Sequence, residues 1–261
     1  MGAIMKIAVC VKPIKTELVF PNEGRNEAYV INPYDLHAFE KAIELKAMAG
    51  CELICVSMGA IGTQYLLTKM IAMGADDALL LCDMAFAGSD TVATSYVLSR
   101  AIRSIGGVDL VICGDRSIDG ETGQVVYGLS EELGYQCIGR AERFLSAEGE
   151  LVVAEQRSQD MINQIRFSLP AVVSFCEFSL KTPEISLVAL KKARRKGIKV
   201  LEHGDIDADR TKCGLFGSKT KVLNIKSDLL KKGAGFVEGS TFDKVSVILD
   251  VIMDRKPQLN T

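Results

Sequence analysis

The sequence is poor in several residue types on which common enzyme classes depend. It contains only two histidines, His37 and His203, and neither lies near a nucleophile motif. A Ser-His-Asp triad uses a histidine as its base, so the sequence argues against hydrolysis by a triad. The eight cysteines form no C-x-x-C pair. The ligand spacings of zinc and iron–sulfur sites are therefore missing, and we expect no metal site.

Long apolar runs and a strong net charge are missing as well. A membrane-spanning helix needs roughly 20 apolar residues, and no run approaches that length, so we expect no membrane insertion. The net charge is −2 and the pI is about 5.8, which argues against binding to nucleic acid. Residues 1–10 lack the apolar segment of a secretory signal. We therefore expect a cytoplasmic protein with buried, reduced thiols.

The sequence does contain a regular alternation of short apolar runs and amphipathic segments of helix length. The predicted strands are Lys6–Val11, Glu52–Ser57, Asp77–Cys82 and Asp109–Cys113. Strands that are apolar on both faces and separated by helices indicate a parallel sheet covered on both sides. We therefore predict an α/β fold with a doubly wound, mostly parallel, Rossmann-like sheet.

The rhythm changes in the second half of the chain. Leu151–Arg157 and Asn163–Phe167 predict a hairpin, and Leu169–Phe175 predicts one more buried strand. Beyond residue 178 the composition shifts, until a final helix is predicted at Phe242–Met253. We therefore place an α/β domain at residues 1–178 and an extended C-terminal arm at residues 179–261. We expect the arm to pack on the same domain or on a partner.

Three predicted strand-to-helix turns are rich in glycine and hydroxyl residues: 57–62, 87–94 and 113–125. Right-handed crossovers place all three on one edge of the sheet, where ligands of such sheets bind. Backbone N–H groups at a helix N-terminus favour phosphate. The alternative for each turn is plain helix capping, by Ser89 or Asp90 in one and by Asp119 or Thr122 in another. Three such turns together favour a nucleotide, although no Walker or G-x-G-x-x-G motif is present.

The third turn is unusual because it carries acids, although carboxylates repel phosphate. Asp119 can cap the following helix or accept a hydrogen bond from a ribose or an adenine. Thr122–Val125 can donate hydrogen bonds toward phosphates, and Gly120 and Gly123 allow close approach of the backbone. We expect Glu121 to face solvent or a partner.

A basic segment lies in the predicted arm. Lys191–Lys199 holds six basic residues in nine. A solvated helical face and a docking patch for a partner both remain open interpretations. Nucleic acid is disfavoured, because aromatic stacking partners and an overall positive charge are missing.

Taken together, these segments resemble the β subunit of electron transfer flavoproteins along essentially the whole chain. The segments that carry the resemblance are Lys6–Pro13, Asn32-Pro33, Met73–Asp76, Ile112–Val125, Leu169–Val173 and Leu190–Lys196. The resemblance implies a heterodimer with an α subunit, whose flavin passes electrons on. It also implies that the β subunit binds an adenine nucleotide, which is AMP in one branch of the family and FAD in the electron-bifurcating branch.

Two further segments, Ala87–Ser95 and Arg210–Ser218, resemble the anaerobic, bifurcating-type branch, so we expect FAD, with AMP as the alternative. In that branch the FAD takes a hydride from NADH, while protein groups orient and tune it. Gly123, Val126 and Tyr127 depart from the residues expected in bifurcating relatives. The expected nucleotide-binding residues are Cys10, Asn32, Met58, Gly88, Ser89, Asp90, Thr91, Thr94, Gly114, Asp119, Gly120, Glu121, Thr122, Gly123, Gln124 and Val125.

The resemblance also assigns the basic segment to the loop that docks acyl-CoA dehydrogenases. The expected partner-binding residues are Leu187, Lys191, Lys192, Arg194 and Arg195, with Leu187 as the anchor. The implied function is that of an electron carrier subunit between NADH or an acyl-CoA dehydrogenase and another redox partner. An alternative of a different class is a stand-alone ATP-binding stress-type protein. The glycine-rich phosphate loop of that class is missing around residues 136–178.

Overall fold

The computed structural model describes residues 4–20, 28–180, 183–220 and 239–253. The strands are β1 Lys6–Cys10, β2 Pro13–Lys15, β3 Tyr29–Ile31, β4 Glu52–Met58, β5 Asp77–Leu81, β6 Leu110–Gly114, β7 Gln136–Glu148, β8 Leu151–Ser158, β9 Met161–Ser168, β10 Ala171–Phe175 and β11 Lys199–Leu201. The helices are α1 Thr16–Val19, α2 Pro33–Ala49, α3 Gln64–Ala72, α4 Thr91–Ile105, α5 Val125–Leu133, α6 Leu187–Lys196, α7 Gly214–Gly217 and α8 Thr241–Ile252. Short 3₁₀ turns lie at Ile61–Thr63, Met84–Phe86 and Arg210–Lys212.

The main sheet has nine strands in the order β11-β5-β4-β1-β6-β10-β7-β8-β9. The strands from β11 to β7 run parallel, and β8 and β9 extend this sheet as an antiparallel hairpin. The predicted α/β fold with a mostly parallel sheet is therefore confirmed. The chain builds outward from β1 through β4 and β5, and then returns to place β6 on the other side of β1. This reversal of strand order lies between β1 and β6, which is where open α/β sheets bind their ligands.

Helices cover both faces of the sheet, as its doubly apolar strands require. One core contains Ile7 and Val9 of β1 and packs against Phe39 of α2 and Met70 of α3. The other core contains the alternate residues of the same strands and packs against α4 and α5. Because successive strand residues point to opposite faces, burial on both sides requires a nearly continuous apolar run. That requirement is why these strands were predictable.

The boundaries of α2 follow from its terminal residues. Asn32 is the N-cap residue, and Pro33 stands at the first helical position, where its fixed φ and missing N–H suit a helix start. Gly50 ends the helix in a left-handed conformation, with φ +70°. Asn32-Pro33 predicts this helix start and Gly50 predicts its end, and both predictions are confirmed. Its first turn lies against the ends of β1 and β6 and so faces the ligand-binding edge.

Four strands were not predicted. β2 and β3 pair antiparallel as a small separate sheet between β1 and α2. β7 has thirteen residues with irregular burial, because its first part pairs with β10 and its later part with the hairpin strand β8. β11 has three residues and forms only by pairing with β5. None of the four shows an apolar run of ordinary strand length or a clean alternation.

The chain divides into two compact units, residues Met1–Lys221 and Val222–Thr261. This division differs from the predicted boundary after residue 178, because β11 joins the main sheet and α6 packs on α3 through the buried Ala193. The role of residues 179–261 as an arm that packs on a partner stays a prediction. In the second unit the predicted final helix is present as α8. Within the described residues, no helix is long and apolar enough to cross a bilayer.

Candidate nucleotide-binding site

A cleft of about 470 Å³ opens where β1, β4 and β6 end, next to the reversal of strand order. Its volume lies within the range of small-molecule sites, roughly 300 to 1,000 Å³. Most of the predicted nucleotide-binding residues line it. They are Cys10, Asn32, Met58, Ser89, Asp90, Thr91, Thr94, Gly114, Gly120, Thr122, Gly123, Gln124 and Val125.

Three predicted residues lie outside the cleft lining. Gly88, at φ +75°, packs against the segment that contains α7, and a Cβ at this position would lie 2.6 Å from the Leu215 side chain. Asp119 directs its carboxylate to Lys12, 2.7 Å away. Glu121 is exposed, in agreement with its predicted orientation, and has a left-handed backbone with φ +48°. Each of these residues therefore supports the walls of the cleft or faces away from it.

The N-terminus of α5 lies at the cleft and is not capped by its N-cap side chain. Gln124 is the N-cap residue, and its side chain donates instead to the carbonyl of Thr122 at 3.4 Å. The interpretation that Asp119 or Thr122 caps this helix is therefore wrong. Thr122–Val125 line the cleft where α5 begins, and the first N–H groups of a helix carry partial positive charge. This arrangement suits a phosphate.

The N-terminus of α4 differs, because a protein carboxylate already occupies it. Asp90 accepts hydrogen bonds from the N–H groups of Val92 and Ala93 at 3.0 and 3.1 Å, as the capping interpretation predicts. It also accepts hydrogen bonds from the N–H groups of Lys219 and Thr220 at 2.6 and 2.9 Å. Partial burial favours a higher pKa for Asp90, but these hydrogen bonds outweigh it and lower the pKa. Asp90 therefore acts here as a structural anion.

Asn32 is fully buried at the base of the cleft. Its side-chain Nδ2 donates to the carbonyl of Arg116 at 2.8 Å, and its Oδ1 accepts the N–H of Ile118 at 3.2 Å. Its backbone N–H donates to the carbonyl of Lys12 at 2.9 Å. Asn32 thus links α2 with the end of β1 and with residues 115–124, which we call the β6–α5 loop.

Asp35 lies beside Asn32 and is also buried. Its carboxylate accepts the N–H of Lys12 at 2.8 Å and the N–H of Gly114 at 3.1 Å. Burial raises the pKa of Asp35 to about 7, although these two hydrogen bonds, the Asn32 side chain and the Lys12 charge favour the ionised form. Near neutral pH the floor of the cleft is therefore only partly charged.

Several cleft residues were missed in the sequence, notably Lys12, Asp35, Asp115, Arg116 and Thr220. The guanidinium of Arg116 stacks on the Tyr34 ring, 5.2 Å from its centroid, and its Nε donates to the Tyr34 hydroxyl at 3.2 Å. Within the described residues it forms no ion pair. Thr220 reaches the cleft from a distant part of the chain, and no local pattern marks it. Asp35 stands in the first turn of α2, where an acid is common at any helix start, so its sequence position does not mark it as a cleft residue.

The predicted partner-binding residues lie on α6, away from the cleft. Ser186 caps this helix by accepting the N–H of Ala189 at 3.1 Å. Leu187 is 78% exposed and Val188 is 79% exposed, so the helix presents two apolar side chains to solvent at its start. The predicted basic residues Lys191, Lys192, Arg194 and Arg195 are exposed as well. The helix therefore carries an apolar tip beside a basic face.

Comparisons with known proteins agree with this architecture. The family model "Electron transfer flavoprotein domain" matches residues 24–205. Protein FixA of Azotobacter vinelandii is 38% identical, over 75% of this chain and 72% of its own. The electron transfer flavoprotein subunit beta of Megasphaera elsdenii is 32% identical, over 96% of this chain and 97% of its own. The caffeyl-CoA reductase-Etf complex subunit CarD of Acetobacterium woodii is 32% identical, over 93% of this chain and 95% of its own.

The chain therefore belongs to the electron transfer flavoprotein family, as a subunit of the β type. This membership confirms the resemblance and argues against the stand-alone ATP-binding alternative. It establishes a role in electron transfer together with an association with flavin or nucleotide at the level of the family.

Proposed function

We propose that this β-type subunit binds FAD in the cleft at the carboxyl ends of β1, β4 and β6. Together with an α subunit, it carries electrons between NADH or an acyl-CoA dehydrogenase and another redox partner. The observation that carries the proposal is the α5 N-terminus at the reversal of strand order, where Thr122–Val125 line the cleft and no side chain of the N-cap residue occupies the helix end. The name of the relative CarD, a subunit of a reductase-Etf complex, supports assembly with a redox enzyme.

Different residues of the cleft would bind different parts of the nucleotide. The N–H groups at the start of α5 would hold the phosphates, and Gly123, with φ +61°, lets the backbone turn there without strain. Cys10 and Met58, from the ends of β1 and β4, would supply apolar contact for the adenine. When bound, FAD supplies hydride and single-electron chemistry that the side chains cannot. We therefore assign the protein groups to binding and orientation, with no catalytic side chain.

The departures at Gly123, Val126 and Tyr127 bear on the size of the ligand. Tyr127 lies outside the cleft lining, and its hydroxyl would be 3.0 Å from a Cβ placed at Gly139 of β7. Val126 is buried in the core beneath α5 and also lines the cleft. The side chain of Tyr127 therefore leaves the cleft open, which supports FAD over the smaller AMP. Electron bifurcation from NADH requires FAD in this site and is a further part of the same proposal.

A count of bound nucleotides tests this proposal. The chain is purified with the α subunit from the same cells, the complex is denatured, and the released nucleotides are identified by mass and absorbance. Two FAD molecules for each pair of subunits, with bleaching of one flavin by NADH, are the expected result. One flavin with one AMP would establish the alternative. No nucleotide in the β subunit would refute the assignment of the cleft.

We also propose that α6 docks an acyl-CoA dehydrogenase-type partner, with Leu187 as its anchor and Lys191, Lys192, Arg194 and Arg195 around it. An exposed leucine next to a basic face suits an apolar pocket with an acidic rim. Leu187→Ala should slow electron transfer to the partner about tenfold without loss of nucleotide, as the loss of one apolar anchor implies. Leu151→Ala, on β8, is the matched control, because that leucine is also exposed. Loss of nucleotide in Leu187→Ala, or equal effects of both variants, would contradict this docking site.

A further inference from the structure

The first turn of α2 connects the two backbone segments that border the cleft. Asn32 hydrogen-bonds to Arg116 and Ile118 in the β6–α5 loop, and its own N–H donates to the carbonyl of Lys12 after β1. Although Asn32 is the N-cap residue, its side chain makes no capping hydrogen bond to the helix. The amide therefore serves the loop and the neighbouring carboxyl of Asp35, and its loss removes no capping hydrogen bond from α2.

Asp35 makes a parallel connection within the same turn. Its two carboxylate oxygens accept the N–H groups of Lys12 and Gly114. Gly114 has no room for a side chain, because a Cβ there would lie 2.5 Å from Asp35 Oδ1 and 2.7 Å from Tyr34 Cβ. The end of β6 therefore contacts α2 directly, and the position of the β6–α5 loop depends on that contact.

The β6–α5 loop has a shape that needs such support. Glu121 has φ +48° and Gly123 has φ +61°, and the N–H of Glu121 donates to the carbonyl of Ser117 at 2.8 Å. A left-handed conformation at a residue other than glycine costs about 1 kcal/mol or more and persists only when its surroundings hold it. The ion pair between Lys12 and Asp119 is a second tether, but both side chains are partly exposed to solvent, which makes it weak. The buried hydrogen bonds of Asn32 are the stronger support.

We propose that Asn32 and Asp35 are positioning residues that hold the β6–α5 loop in its ligand-competent shape before any ligand binds. This inference rests on the proposed nucleotide function and changes the role of Asn32 from ligand contact to loop support. Their polar atoms are already engaged by the backbone of Lys12, Gly114, Arg116 and Ile118, so a ligand would have to compete for them. The N–H groups at the start of α5 then meet the phosphates without a prior rearrangement.

The two roles predict different kinetics. If Asn32 positions the loop, its loss reduces the fraction of molecules that can accept a ligand, so association slows by that fraction. The bound complex holds the loop through the ligand, so dissociation changes little. If Asn32 contacts the ligand, dissociation becomes faster and the ligand-free loop is unaffected. Amide exchange in the ligand-free protein and rapid-mixing kinetics therefore separate the two roles.

The experiment uses the full chain with its co-purified α subunit, after removal of bound nucleotide. The probes are FAD, followed by the quenching of its fluorescence, and AMP, followed by competition. Asn32→Ala removes two buried hydrogen bonds, so exchange of the Glu121 N–H should become about tenfold faster and association slower by a similar factor. Dissociation should stay within about twofold. Asp35→Ala should act in the same direction, because Gly114 loses its acceptor.

Two control variants show whether an effect on loop exchange is specific to Asn32. Gln124→Ala removes a side chain that donates to the carbonyl of Thr122 within the loop but leaves the ties between the loop and α2, so exchange of the Glu121 N–H should change less than in Asn32→Ala. Ser99→Ala removes a buried hydrogen bond within α4, remote from the loop, and should alter neither exchange nor association. If Asn32→Ala fails to fold, Asn32→Ser replaces it, because its hydroxyl keeps a neutral polar group in this buried position. It should then show a smaller effect in the same direction.

Faster dissociation in Asn32→Ala, with unchanged exchange of the ligand-free loop, would overturn the positioning role. Equal acceleration of exchange throughout the domain would overturn it too, because the effect would then be a general loss of stability. If the unaltered protein binds neither FAD nor AMP, the proposed function fails. The exchange comparison in the ligand-free protein still tests the role of Asn32 in that case.

Discussion

The carboxyl group of Asp35 links protein stability to pH at the floor of the cleft, and Asp35→Asn removes that link. Burial raises the pKa of Asp35 to about 7, while the N–H groups of Lys12 and Gly114 and the side chain of Asn32 favour its ionised form. The Lys12 amine and the Cys113 thiol are the titratable groups that interact with Asp35 electrostatically. The asparagine cannot ionise, and it keeps one oxygen to accept one of the two N–H groups.

The sign and size of the effect follow from the two states of this carboxyl group. In the unfolded chain its pKa is about 3.8, so between pH 4 and 7 the folded protein binds the extra proton and stability falls as pH rises. Each unit of pKa difference corresponds to about 1.4 kcal/mol. The full difference is then about 4 kcal/mol, and roughly 3 kcal/mol of it falls between pH 5 and 8.5.

Urea unfolding of both proteins at several pH values measures this effect. The free energy of unfolding of the natural chain, minus that of Asp35→Asn, should fall by about 1.4 kcal/mol per pH unit up to pH 7 and level off near pH 8. The subtraction cancels groups that both proteins share. A difference that does not change with pH, or one that rises with pH, would refute the reasoning. It would mean that the two N–H donors outweigh burial and keep Asp35 ionised.

Substitutions at three further positions test the cleft and the loop beside it. Gly114→Ala should weaken nucleotide binding and lower stability by about 1 to 3 kcal/mol in thermal unfolding, because its Cβ would collide with Asp35; unchanged stability would contradict the close contact. Asp90→Ala should lower the free energy of unfolding by about 1 to 2 kcal/mol, because α4 loses its cap. It should also speed proteolysis next to Thr220, whose N–H loses its acceptor, and slower or equal cleavage would contradict the role of Asp90. Glu121→Gly should be more stable than Glu121→Ala by about 1 kcal/mol, because glycine accepts φ +48°; the reverse order would exclude backbone strain there.

The parallel sheet could be predicted because its strands have one requirement that the sequence displays. β1, β4, β5 and β6 are buried on both faces and so read as continuous apolar runs. β11 could not be found in this way, because it has only three residues and forms only when β5 is beside it. β7 follows the sheet and then the exposed hairpin, so its side chains obey neither the buried pattern nor a steady alternation.

The position of the candidate site could be predicted from the sequence, but the hydrogen-bond partners of its residues could not. Glycine and hydroxyl residues mark the turns, and the strand order brings those turns together, so most of the predicted residues line one cleft. Asn32 and Asp90 lie in that cleft, yet their polar atoms are engaged by other parts of the protein. A residue type shows which hydrogen bonds a side chain can make, whereas its partner depends on segments that lie far away in the chain. Thr220, which meets Asp90, is such a partner.

The acids of the β6–α5 loop can be reconciled with an anion site through their individual contacts. Asp119 is paired with Lys12 at 2.7 Å, and Asp115 accepts a hydrogen bond from Ser174 at 3.3 Å. Glu121 is exposed. Each carboxylate is therefore balanced by a protein donor or screened by water, while the N–H groups at the start of α5 remain at the cleft. The acids therefore do not oppose an anion site, because the N–H groups at the start of α5 are the part of this region that suits an anion.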